Sequence, residues 1–217
     1  MVRGLILDMD GLMLDTEKLL IRFWMQAAQE AGFDMQLEHV LGIRSLAAIY
    51  AKPKLQGIFG EDFNYEAIRA RRRELTAAHL DKYGVEKKPG LTELLDHARA
   101  HSILLAVATA TDRERANAYL TQAGVRDCFD AFICGDMVTK GKPDPEIYLT
   151  ASAALHLPPA ECMALEDSPN GIRSAHAAGC MAVMVPDLTP PENDLQPLLY
   201  ACVPTLADVI PLLKGDN

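Results

Sequence analysis

The chain has 217 residues, of which 30 are acidic and 21 basic, and its formal charge at pH 7 is −9. A net negative field argues against a nucleic-acid or membrane-surface partner, because a phosphate-rich surface would be repelled. With 49% hydrophobic and 24% charged residues the composition is that of an ordinary globular protein, long enough for one sizeable core with an insertion but short for two full domains.

The first apolar run, Arg3 to Leu7, stops at Asp8-Met9-Asp10-Gly11, which predicts a buried parallel strand followed by a turn. From Thr16 to about Tyr83 the pattern is helical and carries no strand signal. Leu19, Leu20, Phe23, Trp24, Ala27, Ala28 and Ala31 recur at helical spacing before Gly32. Further helices are predicted around 45–51 and 63–82, with Pro53, Gly57 and Gly60 punctuating the connection. After Lys87-Lys88-Pro89-Gly90 the chain alternates. Helices are predicted at 92–101, 112–123, 144–155 and 170–178, and strands at 103–108, 131–134, 162–165 and 181–185. Strands alternating with helices of this length imply right-handed βαβ units and a parallel sheet covered on both faces. The expected fold is therefore an α/β, Rossmann-like parallel-sheet core of residues 1–14 and 84–217, with an all-helical cap of residues 15–83 inserted after the first strand.

The cysteines (Cys128, Cys134, Cys162, Cys180 and Cys202) are odd in number and show no C-x-x-C spacing, so they read as reduced, packed thiols. No stretch reaches the roughly 18 to 20 apolar residues of a membrane span. A cytoplasmic monomer is the expectation.

Ligands of open parallel sheets bind beyond the carboxyl ends of the strands, and here those ends are polar. They carry Asp8-Met9-Asp10-Gly11, Ala108-Thr109-Ala110-Thr111, Lys140-Gly141-Lys142-Pro143-Asp144 and Glu166-Asp167-Ser168. Carboxylates gathered in one crevice repel one another unless a cation sits among them, and a hard divalent ion such as Mg²⁺ suits oxygen ligands. The hydroxyl, the amides near Ala110 and the Lys142 ammonium suit an anionic oxygen cluster such as a phosphate.

The run Asp8-x-Asp10-Gly11-x-x-x-Asp15-Thr16, then Thr109 after a strand, then Gly141-Lys142-Pro143-Asp144-Pro145, then Leu165-Glu166-Asp167-Ser168-Pro169-Asn170-Gly171 resembles, in order, the four motifs of the haloacid dehalogenase superfamily. The likeness is to its beta-phosphoglucomutase-like and phosphatase branch, whose helical cap follows the first motif. The resemblance implies that Asp8 is the nucleophile and becomes an aspartyl phosphate, while Asp10 is general acid and base. It implies Mg²⁺ held by Asp8, the Asp10 backbone carbonyl and Asp167, with Glu166 supporting through water. Thr109 and the Ala110 amide would bind phosphoryl oxygens, and Lys142 would neutralise charge between nucleophile and phosphate. Dehalogenating members lack the second Asp, which is present here as Asp10.

In related enzymes the loop between cap helices sorts substrates, which makes Arg44 and Ser45 candidates to touch the leaving group. Glu17, on the first cap helix, is a further candidate. Beta-phosphoglucomutases typically place a His in that helix and a Lys beside the loop Arg. Here Leu20 stands at the comparable position, so a phosphatase of a small phosphate ester, a sugar or polyol phosphate, is favoured, with a mutase as the alternative. A phospho-accepting receiver module is a remoter one, disfavoured because receivers are short, uncapped and phosphorylated on a middle strand. Arg69, Arg71, Arg72 and Arg73 read as a solvated helix face. His97 and His101 have metal-compatible spacing but no further ligand in view.

Overall fold

The computed structural model describes residues 2–188, 190, 191 and 193–213. Its sheet contains strands β1 (Gly4–Leu7), β2 (Leu104–Ala108), β3 (Ala131–Ile133), β4 (Cys162–Glu166), β5 (Met181–Met184) and β6 (Ala201–Cys202). They lie in the order β3-β2-β1-β4-β5-β6, every neighbouring pair parallel. The helices are α1 (Glu17–Glu30), α2 (Leu37–Leu41), α3 (Ala48–Phe59), α4 (Tyr65–Tyr83), α5 (Leu91–Ala100), α6 (Arg113–Gln122), α7 (Glu146–Ala154), α8 (Pro169–Ala177) and α9 (Ile210–Leu213).

Strand β1 shows why the sheet must be covered twice. Side chains alternate along a strand, so Leu5 and Leu7 enter one apolar cluster with Leu94 of α5 and Leu120 of α6. Ile6 points the other way, into a cluster with Tyr148 of α7 and Ile172 of α8. A strand apolar on both faces is stable only between two helical layers.

Helices α1 to α4 bury a separate cluster that includes Trp24, Leu55, Phe63 and Ile68. The two chain crossings between this unit and the sheet lie side by side. Asp15 N donates to Glu86 O and Lys88 N donates to Met13 O, both at 2.9 Å.

The structure corrects several expectations. Pro53 and Gly57 lie inside α3 rather than between helices. Ala51 and Leu55, buried on either side of the proline, hold the helix through a position that lacks an N–H donor. The helix begins at Ala48 instead of Ser45, and short β6 and α9 had no expectation at all. The arginine run divides: Arg71 is exposed and pairs with Glu30, whereas Arg72 is buried. All five cysteines are free thiols, but Cys202 is exposed rather than packed. No described helix is long and apolar enough to cross a membrane.

Candidate active site

Because β1 lies between β2 and β4, the residues that follow all three strands meet at one end of the sheet. The chain runs outward from β1 to β2 and β3, then returns to the far side of β1, and the crevice at such a reversal is a ready ligand site. Asp8 is fixed there by its amide, which donates to Leu165 O at 3.1 Å.

Lys142 organises the floor of the crevice. Its ammonium donates to Asp8 Oδ1 at 2.5 Å and to Ala108 O at 3.0 Å, and lies 2.5 Å from Glu166 Oε1. Glu166 also accepts from the Tyr148 hydroxyl at 2.5 Å and from Ser168 Oγ at 3.3 Å. Ser168 in turn caps α8, accepting from Gly171 N at 3.1 Å. A Cβ on Gly171 would lie 1.9 to 2.1 Å from the Glu166 carboxyl atoms, so only glycine lets α8 approach this closely.

Asp10 sits beside Asp8 and is half-buried. Its two oxygens accept from the hydroxyls of Thr16 at 2.6 Å and Thr111 at 2.8 Å. Thr109 Oγ1 accepts from Thr111 N at 3.1 Å and still has its own proton to give to an anion. Thr109 and Ala110 line the cleft together with Asp8 and Asp10.

The cap closes over this floor. Arg44 Nη2 donates to the backbone carbonyl of Asp167 at 2.8 Å, and Asn170 Nδ2 donates back to Arg44 O at 2.9 Å. Arg44 Nε lies 3.9 Å from Glu17 Oε1. Ser45, in the left-handed region at φ 57°, lines the cleft with Arg44 and Glu17. The candidates Asp8, Asp10, Glu17, Arg44, Ser45, Thr109 and Ala110 thus line this crevice, and Lys142, Glu166 and Asp167 lie behind it against Asp8. Residues not foreseen are Thr111, Tyr148, Arg69, Arg72 and Arg115. Arg72 had a legible signal, because it falls at i+4 from Ile68 and i−4 from Thr76, on the buried stripe of α4.

Asp8, Glu166 and Asp167 each place an oxygen within 4.8 Å of the others, the sole such group among the described residues. His97 and His101 stack on each other, ring centroids 4.0 Å apart, and His101 Nδ1 lies 2.8 Å from His97 O. Burial holds Asp8 well above the usual carboxylate range, Lys142 opposes this, and Glu166 and Asp167 reinforce it. Asp167 is raised in the same way by burial, and neither of its oxygens has a hydrogen-bond partner among the described residues. Burial by itself would lower Lys142, but Asp8 and Glu166 reverse that and raise it. Three buried carboxylates, one of them with both oxygens unbonded, fit a hard divalent cation of the Mg²⁺ type.

A doubly wound parallel sheet with a helical insertion after β1 and an acidic, lysine-bearing pocket at its reversal defines an α/β protein with a ligand site at the carboxyl ends of its strands. The chain belongs to the haloacid dehalogenase-like hydrolase family, whose sequence model matches residues 5–185. It is 29% identical over 203 residues to hexitol phosphatase A of Escherichia coli, covering 92% of this chain and 91% of that one. It is also 29% identical over 178 residues to a phosphorylated carbohydrates phosphatase of Thermotoga maritima, covering 82% of each. Among solved structures, CbbY from Rhodobacter sphaeroides in complex with phosphate superposes with a TM-score of 0.80 and 26% identity over 96% of both chains. The protein is accordingly a phosphoric monoester hydrolase, and the receiver-module alternative falls with this membership.

Proposed function

We propose that the protein is a Mg²⁺-dependent phosphatase of a small sugar or polyol phosphate, working through an aspartyl phosphate on Asp8. The observation that carries this reading is the buried set Asp8, Lys142, Glu166 and Asp167 with Asp10 beside it at the end of β1. Mg²⁺, held by Asp8, Asp167 and the Asp10 carbonyl with Glu166 behind them, would supply positive charge against the phosphoryl oxygens. Asp8 attacks phosphorus while the bond to the ester oxygen breaks, and Asp10 gives that oxygen its proton. Asp10 then takes a proton from the water that attacks the phosphorus, and the bond to Asp8 breaks to release phosphate. Thr109 Oγ1 and the Ala110 amide bind the phosphoryl oxygens, and Lys142 holds Asp8 in place and offsets its charge.

The cap, taken as residues 15–83 over a core of 1–14 and 84–217, sorts leaving groups through Arg44, Ser45 and Glu17. Hydrolysis is favoured over the mutase alternative because the relatives named above are phosphatases and Leu20, an apolar side chain, lines the cleft at the position comparable to the mutase His. A small phosphate ester acted on by a cytoplasmic monomer completes the proposal.

The test is phosphate release from a panel of phosphorylated metabolites with Mg²⁺ and with EDTA. Turnover is expected with Mg²⁺ alone. Asp8→Asn should abolish it, and Asp10→Asn should lower kcat by about 10²- to 10⁴-fold. Metal-independent turnover by Asp8→Asn would overturn the mechanism. Mg²⁺ should also raise the Tm of the wild type by binding the folded state, a rise that disappears in Asp167→Asn.

A further inference from the structure

The cleft has a basic wall that the hydrolytic steps leave unused. Arg69 and Arg72 reach it from α4 and Arg115 from α6. Arg72 is 7% exposed, and its Nε has no hydrogen-bond partner among the described residues. One side of its guanidinium faces Trp24, 5.3 Å from the ring centroid. Arg115 is held by Asp112, Nη2 to Oδ2 2.8 Å, and Arg69 lies 5.9 Å from the Tyr65 ring centroid.

A guanidinium this deep, with an unbonded N–H and like charges around it, is costly to keep without an acceptor. Burial first, and then repulsion from Arg115 and Arg69, push Arg72 down to about 10, with Asp10 opposing. Glu17, the cap acid that could neutralise it, is itself pushed up to about 8 by burial and by Asp10, so it carries little charge near neutrality. The charges that dominate at Asp8 are different ones: Lys142, Glu166 and Asp167. The cleft therefore has two poles, one built for the reacting phosphoryl group and one facing the leaving group. Arginine suits planar, bidentate recognition of a carboxylate or phosphate.

We propose that Arg72, flanked by Arg69 and Arg115, receives a second anionic group on the leaving-group side of the substrate, so that the ester hydrolysed carries a carboxylate or a second phosphate. The proposal rests on the phosphatase reading and narrows its substrate class.

The test compares kcat/KM within matched pairs, ribulose 1,5-bisphosphate against ribulose 5-phosphate and 2-phosphoglycolate against 2-hydroxyethyl phosphate, all with Mg²⁺. The first pair reads a second phosphate and the second a carboxylate. In at least one pair the anion-bearing member should be preferred by about tenfold or more, the worth of one charge-assisted hydrogen bond. Arg72→Met should bring that ratio close to one, and Arg69→Gln, at a half-buried site that tolerates polar replacement, should lower it if the buried variant fails to fold. A substitution that merely loosened the cap would slow both members and leave the ratio intact. No preference in either pair, or a ratio untouched by these variants, overturns the inference while leaving the phosphatase standing. Absence of phosphate release from all four esters removes the phosphatase reading and the inference with it.

Discussion

Lys142 has no exposed surface and sits within 2.5 Å of carboxylate oxygens from both Asp8 and Glu166, a cation completely enclosed by its counter-charges. Removing one partner of such a set leaves the others buried and uncompensated. Lys142→Met should therefore destabilise the fold by about 3 to 5 kcal/mol, measured by urea unfolding in EDTA. Glu17 makes a different prediction. Its folded pKa of about 8 lies above its ordinary value of 4.5, so between those values the folded state binds more protons than the unfolded chain. Stability must then fall as pH rises through this window. Thermal unfolding of the metal-free protein at about pH 5 and about pH 9 should show Glu17→Gln losing less Tm than the wild type. An equal loss would mean that the Glu17 carboxyl is not held neutral.

At the scale of elements, β1, β2, β4 and β5 were readable because an apolar run of four or five residues buried on both faces leaves few other solutions, whereas two-residue β6 was too short to read. Helix α8 was readable for the same kind of local reason, Ser168 as N-cap and Pro169 in the first turn. Its close approach to Glu166 was not, since Asn170-Gly171 carries no record of which side chain it will meet. Gly171→Ala forces a methyl group onto a buried carboxylate, so it should cost about 1 to 3 kcal/mol in thermal unfolding and raise the Mg²⁺ concentration needed for half-maximal turnover. An alanine variant with unchanged stability would show that α8 can retreat from the site. Helices α3 and α4 misled a local reading in opposite ways. Pro53 looked like a boundary and lies within α3, while Arg72 looked like part of a solvated run and lies on the buried stripe of α4. In both, tertiary packing overrode composition.

For the molecule as a whole, the cap meets the core through apolar packing, with Leu80 of α4 in the cluster of Leu5 and Leu94, and through polar contacts of its loop. Arg44 bonds the Asp167 carbonyl, Asn170 bonds Arg44 O, and Ala47 N donates to Lys142 O at 3.2 Å. Each links the cap loop to a residue of the acidic floor or its neighbour, so the cap loop completes the pocket. Arg44→Ala should change the order in which phosphate esters are hydrolysed, read as kcat/KM across the same metabolite panel. An unaltered order would remove Arg44 from leaving-group selection. The crossings at Asp15 and Lys88 are tied together by backbone hydrogen bonds, which fixes the two chain segments joining cap and core side by side.

Read by itself, the sequence determined the α/β class, the place of the helical insertion and the residues of the acidic floor. Those features depend on local periodicity and on polar residues that interrupt apolar strands at their ends, and both survive in one dimension. Only the tertiary structure decided what surrounds them. Tyr148 on Glu166, Thr111 on Asp10, and the arginines of α4 and α6 lining the cleft come from elements far apart in the chain. Burial and charge at such a point are sums over neighbours, and no single segment of the chain contains them.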